Sequence, residues 1–509
     1  MKLKYFLTLY ALLICNATII AQSLTDDNRI VVTFLQLNDV YEISPLNNGT
    51  EGGMARAATI RNKLLKENAN TYTVMSGDFL FPSALGTIKY EGKRIKGRQM
   101  VETMNTAGID LVTFGNHEFD LDENELTERL HESSFDWVCA NVLHHTASGN
   151  EPFTVLERHS LEDIPSTRIL VFSDADGTIV RIGVFGITIN STAPEYVIYE
   201  DYYTAAAKAI QQLQGQCDFI VAVTHLTLED DHKLAQKFPE IKLIIGGHEH
   251  VHNIDTVGNT IIAKADANAK TVYVHSLVYN TNTKNLSIQS VLTAVDETIP
   301  EDPATKKVVD KWNAIADQSM MAEGFDPHEI ISTFTESYDG REESVRYTST
   351  NLTRMIAKAF SAAMPETDCT IYNSGMIRID DEIKGNVTQY DVIRMLPYGG
   401  KLVTVQMKGS MLDTLLTAGI THPGDGSFLQ YDRVIQKNGK WYVNGKLLKS
   451  NKVYRVAVND YLASGKQTFL EFLNKDNPRV LSISYPESSE KFRNDLRLAV
   501  INYLRNGGS

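Results

Sequence analysis

Leu111-Val112-Thr113-Phe114-Gly115-Asn116-His117-Glu118 joins a short apolar run to a turn carrying an amide, an imidazole and a carboxylate. Apolar and β-branched residues favour a buried strand, and the glycine ends it. With each residue near its background frequency, Gly-Asn-His-Glu arises by chance in well under about 1% of chains this long. Four more apolar runs end in the same manner. Residues 31–37 end at Asn38-Asp39, and 71–75 at Ser76-Gly77-Asp78. Residues 219–223 end at Thr224-His225, and 243–245 at Gly246-Gly247-His248, with His250 two positions on. Helical patterns lie between them at 54–67, 99–107, 123–131, 203–214 and 230–237. Short apolar strands alternating with helices predict an α/β fold with a largely parallel sheet, whose chemistry gathers at the carboxyl ends of the strands.

Those ends carry Asp39, Asp78, Asn116, His225, His248 and His250. Taken singly, an Asp after a strand is usually a turn residue or a cap, and a lone His belongs to the core or the surface. The ordered set points to metal binding. A carboxylate such as Asp78 can bridge two cations, and neutral imidazole suits Zn, Mn, Co or Fe. His248 and His250 point the same way on an extended segment and can serve neighbouring ions. Two ions about 3.5–4 Å apart can hold a phosphoryl oxygen, generate a hydroxide nucleophile at neutral pH and steady the leaving oxygen. His117-Glu118 is not a zinc-protease motif, because Leu121 stands where the second His is required. Gly424-Asp425-Gly426-Ser427 lacks the Lys of a phosphate-binding P-loop and reads as a turn.

The chain has 509 residues, a formal net charge of −14, 43% hydrophobic and 22% charged residues. These values exclude a mostly disordered chain, and roughly 100–200 residues per domain gives two to four domains. The acidic balance argues against a binder of nucleic acid polymers or acidic membranes, but not against a small anionic substrate. Lys2 and Lys4, an apolar run over 5–14 and a small-residue stretch ending at Ala21 read as a secretory signal peptide over 1–21, which implies a secreted or periplasmic chain. The apolar run is too short to span a membrane, and no later stretch is long and apolar enough. Cys139, Cys217 and Cys369 are too few for a disulfide framework and read as buried thiols.

Residues 22–300 form the first expected domain. Pro300 and Pro303 then open a connector over 301–330, with a helix at 304–322. A second domain over 331–509 has helices at 349–363 and 489–505 and strands at 370–372, 403–407 and 453–458.

With its motifs in this order, the chain resembles the calcineurin-like metallophosphoesterases. More closely, it is similar to the secreted two-domain 5′-nucleotidase family, which includes bacterial UDP-sugar hydrolases, over nearly the whole mature chain. The resemblance implies an N-terminal sandwich of two sheets flanked by helices and a C-terminal α/β substrate domain. It implies one metal site from Asp39, Asp78 and His250, and another from Asp78, Asn116, His225 and His248. His117 and Asp120 would be the catalytic dyad, with Asp120 orienting His117 as it stabilises or protonates the phosphate. The family usually has Asp-x-His in its first motif; here Tyr41 stands at the His position. Tyr41 as a ligand, a water in its place, and a weak or empty first site are three readings left open. Glu42 would point to the opposite face of an extended segment.

The second domain carries the implied substrate clamp. Most single arginines are solvated surface charges. Arg341 and Arg346 precede a helix, Val345-Arg346-Tyr347-Thr348 resembles the family's phosphate-binding segment, and guanidinium groups hold phosphate bidentately. Asn373-Ser374-Gly375-Met376-Ile377-Arg378 resembles its Asn-Gly-Gly-Gly-Ile-Arg loop, with two glycines replaced. Tyr398 and Tyr461 look like its two base-stacking aromatics, a contact worth about 1–3 kcal/mol per base. Gln467 stands where the family has the Asp that contacts ribose. The implied function is hydrolysis of nucleotide phosphate monoesters, with a nucleotide-like small molecule as substrate. Alternatives are a nucleotide-sugar, 2′,3′-cyclic-nucleotide or sulfur-ester hydrolase on the same scaffold, or a non-catalytic ligand-binding homologue.

Overall fold

A computed structural model describes residues 27–508; the signal-peptide segment lies outside the described residues. The first apolar run forms the strand Arg29–Leu37, which pairs in parallel with Thr71–Ser76. Leu111–Thr113 and Asp136–Trp137 extend the sheet in parallel. On the other side, Thr271–Asn280 and Leu286–Ala294 complete six strands in antiparallel register. A second six-stranded sheet runs Thr167–Ser173, Ile179–Thr188, Phe219–His225, Ile241–Gly246, Thr260–Lys264, Asn253–Val257.

Phe219–His225 shows why the two sheets stack. Every residue in it is buried, as expected for a parallel strand covered on both faces. Phe219, Val221 and Val223 meet Ile30, Val32, Phe34 and Val74 of the first sheet. Ile220 and Ala222 face away, onto residues of the helices Tyr202–Leu213 and Leu228–Lys237. The period of two sends alternate side chains into two different cores. Each fully buried large apolar side chain contributes roughly 1.5–3 kcal/mol. Met54–Glu67, Arg98–Ala107 and Glu123–Glu132 cover the outer face of the first sheet. The result is the expected sandwich of two sheets flanked by helices.

The helix Pro303–Ala322 is capped by the Asp302 carboxylate, which accepts from Thr305 N, and starts with proline at its first turn. Val309, Trp312, Ala316 and Met320 are buried along it, and Trp312 donates to Glu102 at 2.9 Å. This anchors the connector to the first domain's helices.

The second unit is a five-stranded sheet in the order Leu429–Asp432, Cys369–Asn373, Val453–Asn459, Leu402–Lys408, Val480–Ser484. Asn351–Ala363 and Leu496–Arg505 pack together beside it, and Gly409–Ala418 lies in a separate core on the sheet. The single helix expected over 489–505 is broken into Lys491–Asn494 and Leu496–Arg505. Asp495 between them is extended, and its carboxylate accepts from Arg497 N at 2.9 Å. An Asp that caps the following turn competes with helix continuation, which explains the break. Cys139 and Cys369 are buried and Cys217 is partly buried, all as free thiols. Among the described residues, no helix is long and apolar enough to cross a membrane.

Candidate active site

The ends of Arg29–Leu37, Thr71–Ser76, Leu111–Thr113, Phe219–His225 and Ile241–Gly246 converge at one edge of the sandwich. Asp39, Asp78 and His248 there have φ values of 53°, 54° and 87°. Such conformations cost about 1–3 kcal/mol each in non-glycine residues and persist where the surroundings enforce them. The packing is close enough to require glycine beside them. A Cβ on Gly115 would lie 2.1 Å from Asp78 Oδ1, and one on Gly247 would lie 2.4 Å from the Ser76 carbonyl oxygen.

The buried Glu118 carboxylate ties the turns together. It accepts from the backbone N–H groups of Asp78 (2.8 Å), Phe79 (2.8 Å), Leu80 (3.0 Å) and Gly115 (2.6 Å). Lys264, fully buried, does the same from the other side. Its ammonium donates to the carbonyls of Leu226 (2.6 Å) and Gly247 (2.8 Å), neighbours of His225 and His248, and pairs with Asp231 at 2.9 Å. Sequence reasoning missed Lys264. Its one signal is a lone Lys in the apolar run Ile261-Ile262-Ala263-Lys264-Ala265.

Ligand atoms of Asp39, Asp78 and His250 lie within 4.8 Å of one another. Asp39 Oδ2 accepts from His248 N at 2.9 Å, while Oδ1 lies 3.3 Å from His250 Nε2. His225 Nδ1 donates to the Ser76 carbonyl at 2.8 Å, so Nε2 turns to Asp78 Oδ2 at 3.1 Å. The His248 ring lies 5.3 Å from that of His225, and burial, followed by the His225 charge, pushes its pKa down to about 3. Asn116 precedes His117, whose N–H donates to Asp78 Oδ1 at 2.8 Å. Asp39 Oδ1, Asn116 Oδ1 and His225 Nε2 are buried without a hydrogen-bond partner. Each such atom costs about 1–3 kcal/mol if left unpaired. Oxygen and imidazole donors converging in this way fit a divalent cation.

Tyr41 lies inside this cluster. Its hydroxyl donates to Asp78 Oδ2 at 3.0 Å and is 3.2 Å from His250 Nε2. Burial first, then the charges of Asp78, Asp39 and Asp380, holds the phenol well above its usual pKa, so it is neutral. Glu42 turns away from the ligands and accepts from Tyr390 of the second domain at 2.8 Å.

His117 Nδ1 lies 2.7 Å from Asp120 Oδ2. Burial opposes the charged imidazole, but the carboxylates of Asp120 and Asp78 outweigh it and raise the His117 pKa. Across the gap, Arg378 Nη2 is 4.0 Å from Asp120, and its guanidinium lies 5.7 Å from the centre of the Tyr398 ring. Tyr398 in turn packs against Phe81 of the first domain at 6.1 Å. Glu342 lies between two arginines: one oxygen contacts Arg346 and the other is 4.0 Å from Arg378. Arg341 is held by both oxygens of Asp339 at 3.0 Å.

A cavity of about 330 Å³ brings His117, His248 and His250 to face Arg341, Arg346 and Tyr347. Asn373 is not part of that lining. It is buried behind the loop, donating to Gln467 Oε1 at 2.8 Å and accepting from Asn459 at 3.0 Å. Gln467 is therefore an internal partner of Asn373. Tyr461 is half exposed, with its hydroxyl donating to the Lys466 carbonyl at 3.3 Å. No ring contact pairs Tyr461 with Tyr398 among the described residues.

Comparison with known proteins gives the same two parts. The family "Calcineurin-like phosphoesterase" matches residues 32–252, and "5′-nucleotidase, C-terminal domain" matches 330–474. The trifunctional nucleotide phosphoesterase protein YfkN of Bacillus subtilis is 26% identical over 479 residues, covering 82% of this chain and 31% of that protein. The 5′-nucleotidase of Bos taurus is 24% identical over 506 residues, covering 86% of this chain and 84% of its own length. The crystal structure of a 5′-nucleotidase precursor from Thermus thermophilus shares the fold, with a TM-score of 0.70 at 21% identity, over 94% of this chain and 97% of that one. Matched in both halves and in their order, the chain belongs to the two-domain 5′-nucleotidase family of calcineurin-like phosphoesterases, which are ester hydrolases.

Proposed function

We propose that this chain is a secreted dimetal phosphohydrolase that cleaves phosphate monoesters of nucleotides. The observation that carries this reading is the cavity in which the histidine edge of one domain faces the arginines of the other. Asp39, Asp78 and His250 would hold one cation, and Asp78, Asn116, His225 and His248 the second. When bound, the cations supply Lewis-acid charge and a nucleophile at neutral pH. Arg346 and Arg378 bind the phosphate oxygens. His117 holds a proton at Nε2 for the developing charge, while Asp120 fixes Nδ1. Tyr41 stays as a neutral donor to Asp78 rather than a phenolate ligand. Tyr398 stacks a planar group beside Arg378. The domain division at 22–300, 301–330 and 331–509 and the signal peptide over 1–21 belong to the same reading.

One observation favours a second substrate class. Gln467 is buried and bonded to Asn373 where the family places an acid for ribose. The ribose diol is then less tightly read, which favours 2′,3′-cyclic nucleotides, whose diol is closed, and nucleotide sugars, whose second sugar offers other hydroxyls to grip. Turnover of AMP, UDP-glucose and a 2′,3′-cyclic nucleotide by the purified mature chain, with Mn, Zn or Co added, ranks them. Phosphate release from AMP supports the first reading, and faster turnover of either other substrate supports the second. No turnover of any of the three substrates with any metal sinks both in favour of a ligand-binding homologue.

A further inference from the structure

His250 is held from both domains. Its Nε2 lies 3.3 Å from Asp39 Oδ1 and 3.2 Å from the Tyr41 hydroxyl. Its Nδ1 is in direct contact with Asp380 Oδ2, from the loop of the second domain that carries Arg378. Asp380 is itself fixed. Its other oxygen accepts from Glu342 N at 2.6 Å, and its backbone is in the left-handed region at φ 40°. On the same side of the junction, Asp381 pairs with Lys270 of the first domain, and Tyr390 donates to Glu42.

We propose that Asp380 is the positioning residue for His250, accepting from Nδ1 across the domain junction so that Nε2 is presented to the first cation site. This rests on the metal reading given above. A ligating His ordinarily gives its second N–H to a carboxylate or carbonyl that fixes ring and tautomer. His225 satisfies that rule inside its own domain, through the Ser76 carbonyl. His250 satisfies it only when the two domains are together. The first cation site is therefore complete only in the closed arrangement, and by reciprocity a cation bound there favours closure.

The test uses the full mature chain and Mn²⁺ alone. Chelator competition measures the affinity of each ion, and small-angle scattering measures domain spacing with and without Mn²⁺. Asp380→Asn keeps an oxygen for Glu342 N and tolerates positive φ. It is expected to retain one ion at wild-type affinity, to bind the other about 10–100-fold more weakly, and to lose the Mn²⁺-dependent contraction. Tyr390→Phe loosens the junction without touching His250 and is expected to weaken the same ion by a smaller factor. It carries the test alone if Asp380→Asn does not fold. Wild-type affinity for both ions in the variants overturns the inference, as does equal weakening of both ions with a lowered Tm. A wild type that binds two ions but turns over none of the three substrates removes the hydrolase reading alone. A wild type that binds none removes both.

Discussion

The Tyr41 hydroxyl donates to Asp78 Oδ2 at 3.0 Å, placing a neutral phenol where the resemblance to the family led to the expectation of a ligand imidazole. Tyr41→His shortens the side chain and offers a nitrogen lone pair to the first site. The variant is expected to keep or raise turnover and to bind the first ion more tightly. Steady-state kinetics with AMP and metal content per chain check this. A collapse of turnover would show that the phenol is itself required.

His117 and Asp120 form the proton-handling pair of the proposed reaction. His117→Gln is expected to lower kcat by about 10²–10⁴-fold with little change in KM. Asp120→Asn should cost less, because the ring loses its orientation but stays in place. A His117 variant with wild-type kcat would remove it from the mechanism.

Glu118 accepts four backbone hydrogen bonds with one carboxylate. In Glu118→Gln the amide nitrogen faces two of those donors and cannot accept. At about 1–3 kcal/mol for each buried group left unpaired, the loss is roughly 2–6 kcal/mol. Urea unfolding reads it directly, and an unchanged midpoint would contradict it.

His275 is buried between Ser290 Oγ at 2.7 Å and Gln36 Oε1 at 2.8 Å, and burial pushes its pKa down to about 3. The unfolded chain titrates this group near 6.5. Between those values the unfolded state binds the extra proton, so this contribution is complete above pH 6.5 and is lost as pH falls. The slope approaches about 1.4 kcal/mol per pH unit. His275→Gln should therefore flatten the decline in stability from pH 6.5 to pH 4. Matching denaturant midpoints across that range, for variant and wild type alike, would refute the assignment.

Arg378 faces Asp120, Glu342 and the Tyr398 ring at once. A lysine keeps the charge but not the planar fork. Arg378→Lys is expected to raise KM by about tenfold, equivalent to ~1.4 kcal/mol. An unchanged KM would place the substrate elsewhere.

The strands and helices of the first domain were legible because burial on both faces writes continuous apolar runs, and each run stops where the chain turns into the site. Asp39, Asp78, His225 and His248 all sit at such stops. Lys264 and Asp380 were not legible, because their partners are distant in the chain and meet only through the fold. The motif around Asn373 was visible, but not that its amide points inward to Gln467. Short motifs name a loop without fixing which way each side chain turns. The break at Asp495 was hidden for a related reason, since the apolar spacing continues through it while a single cap interrupts the backbone.

Glu342 spans both arginines with the two oxygens of one carboxylate. An incoming anion therefore does not meet two bare cations. If these arginines take the phosphate as proposed, uptake is ion exchange, in which the arriving group displaces a resident side chain or shares the arginines with it. Affinity is then a difference between two grips, and loosening the resident tightens the guest.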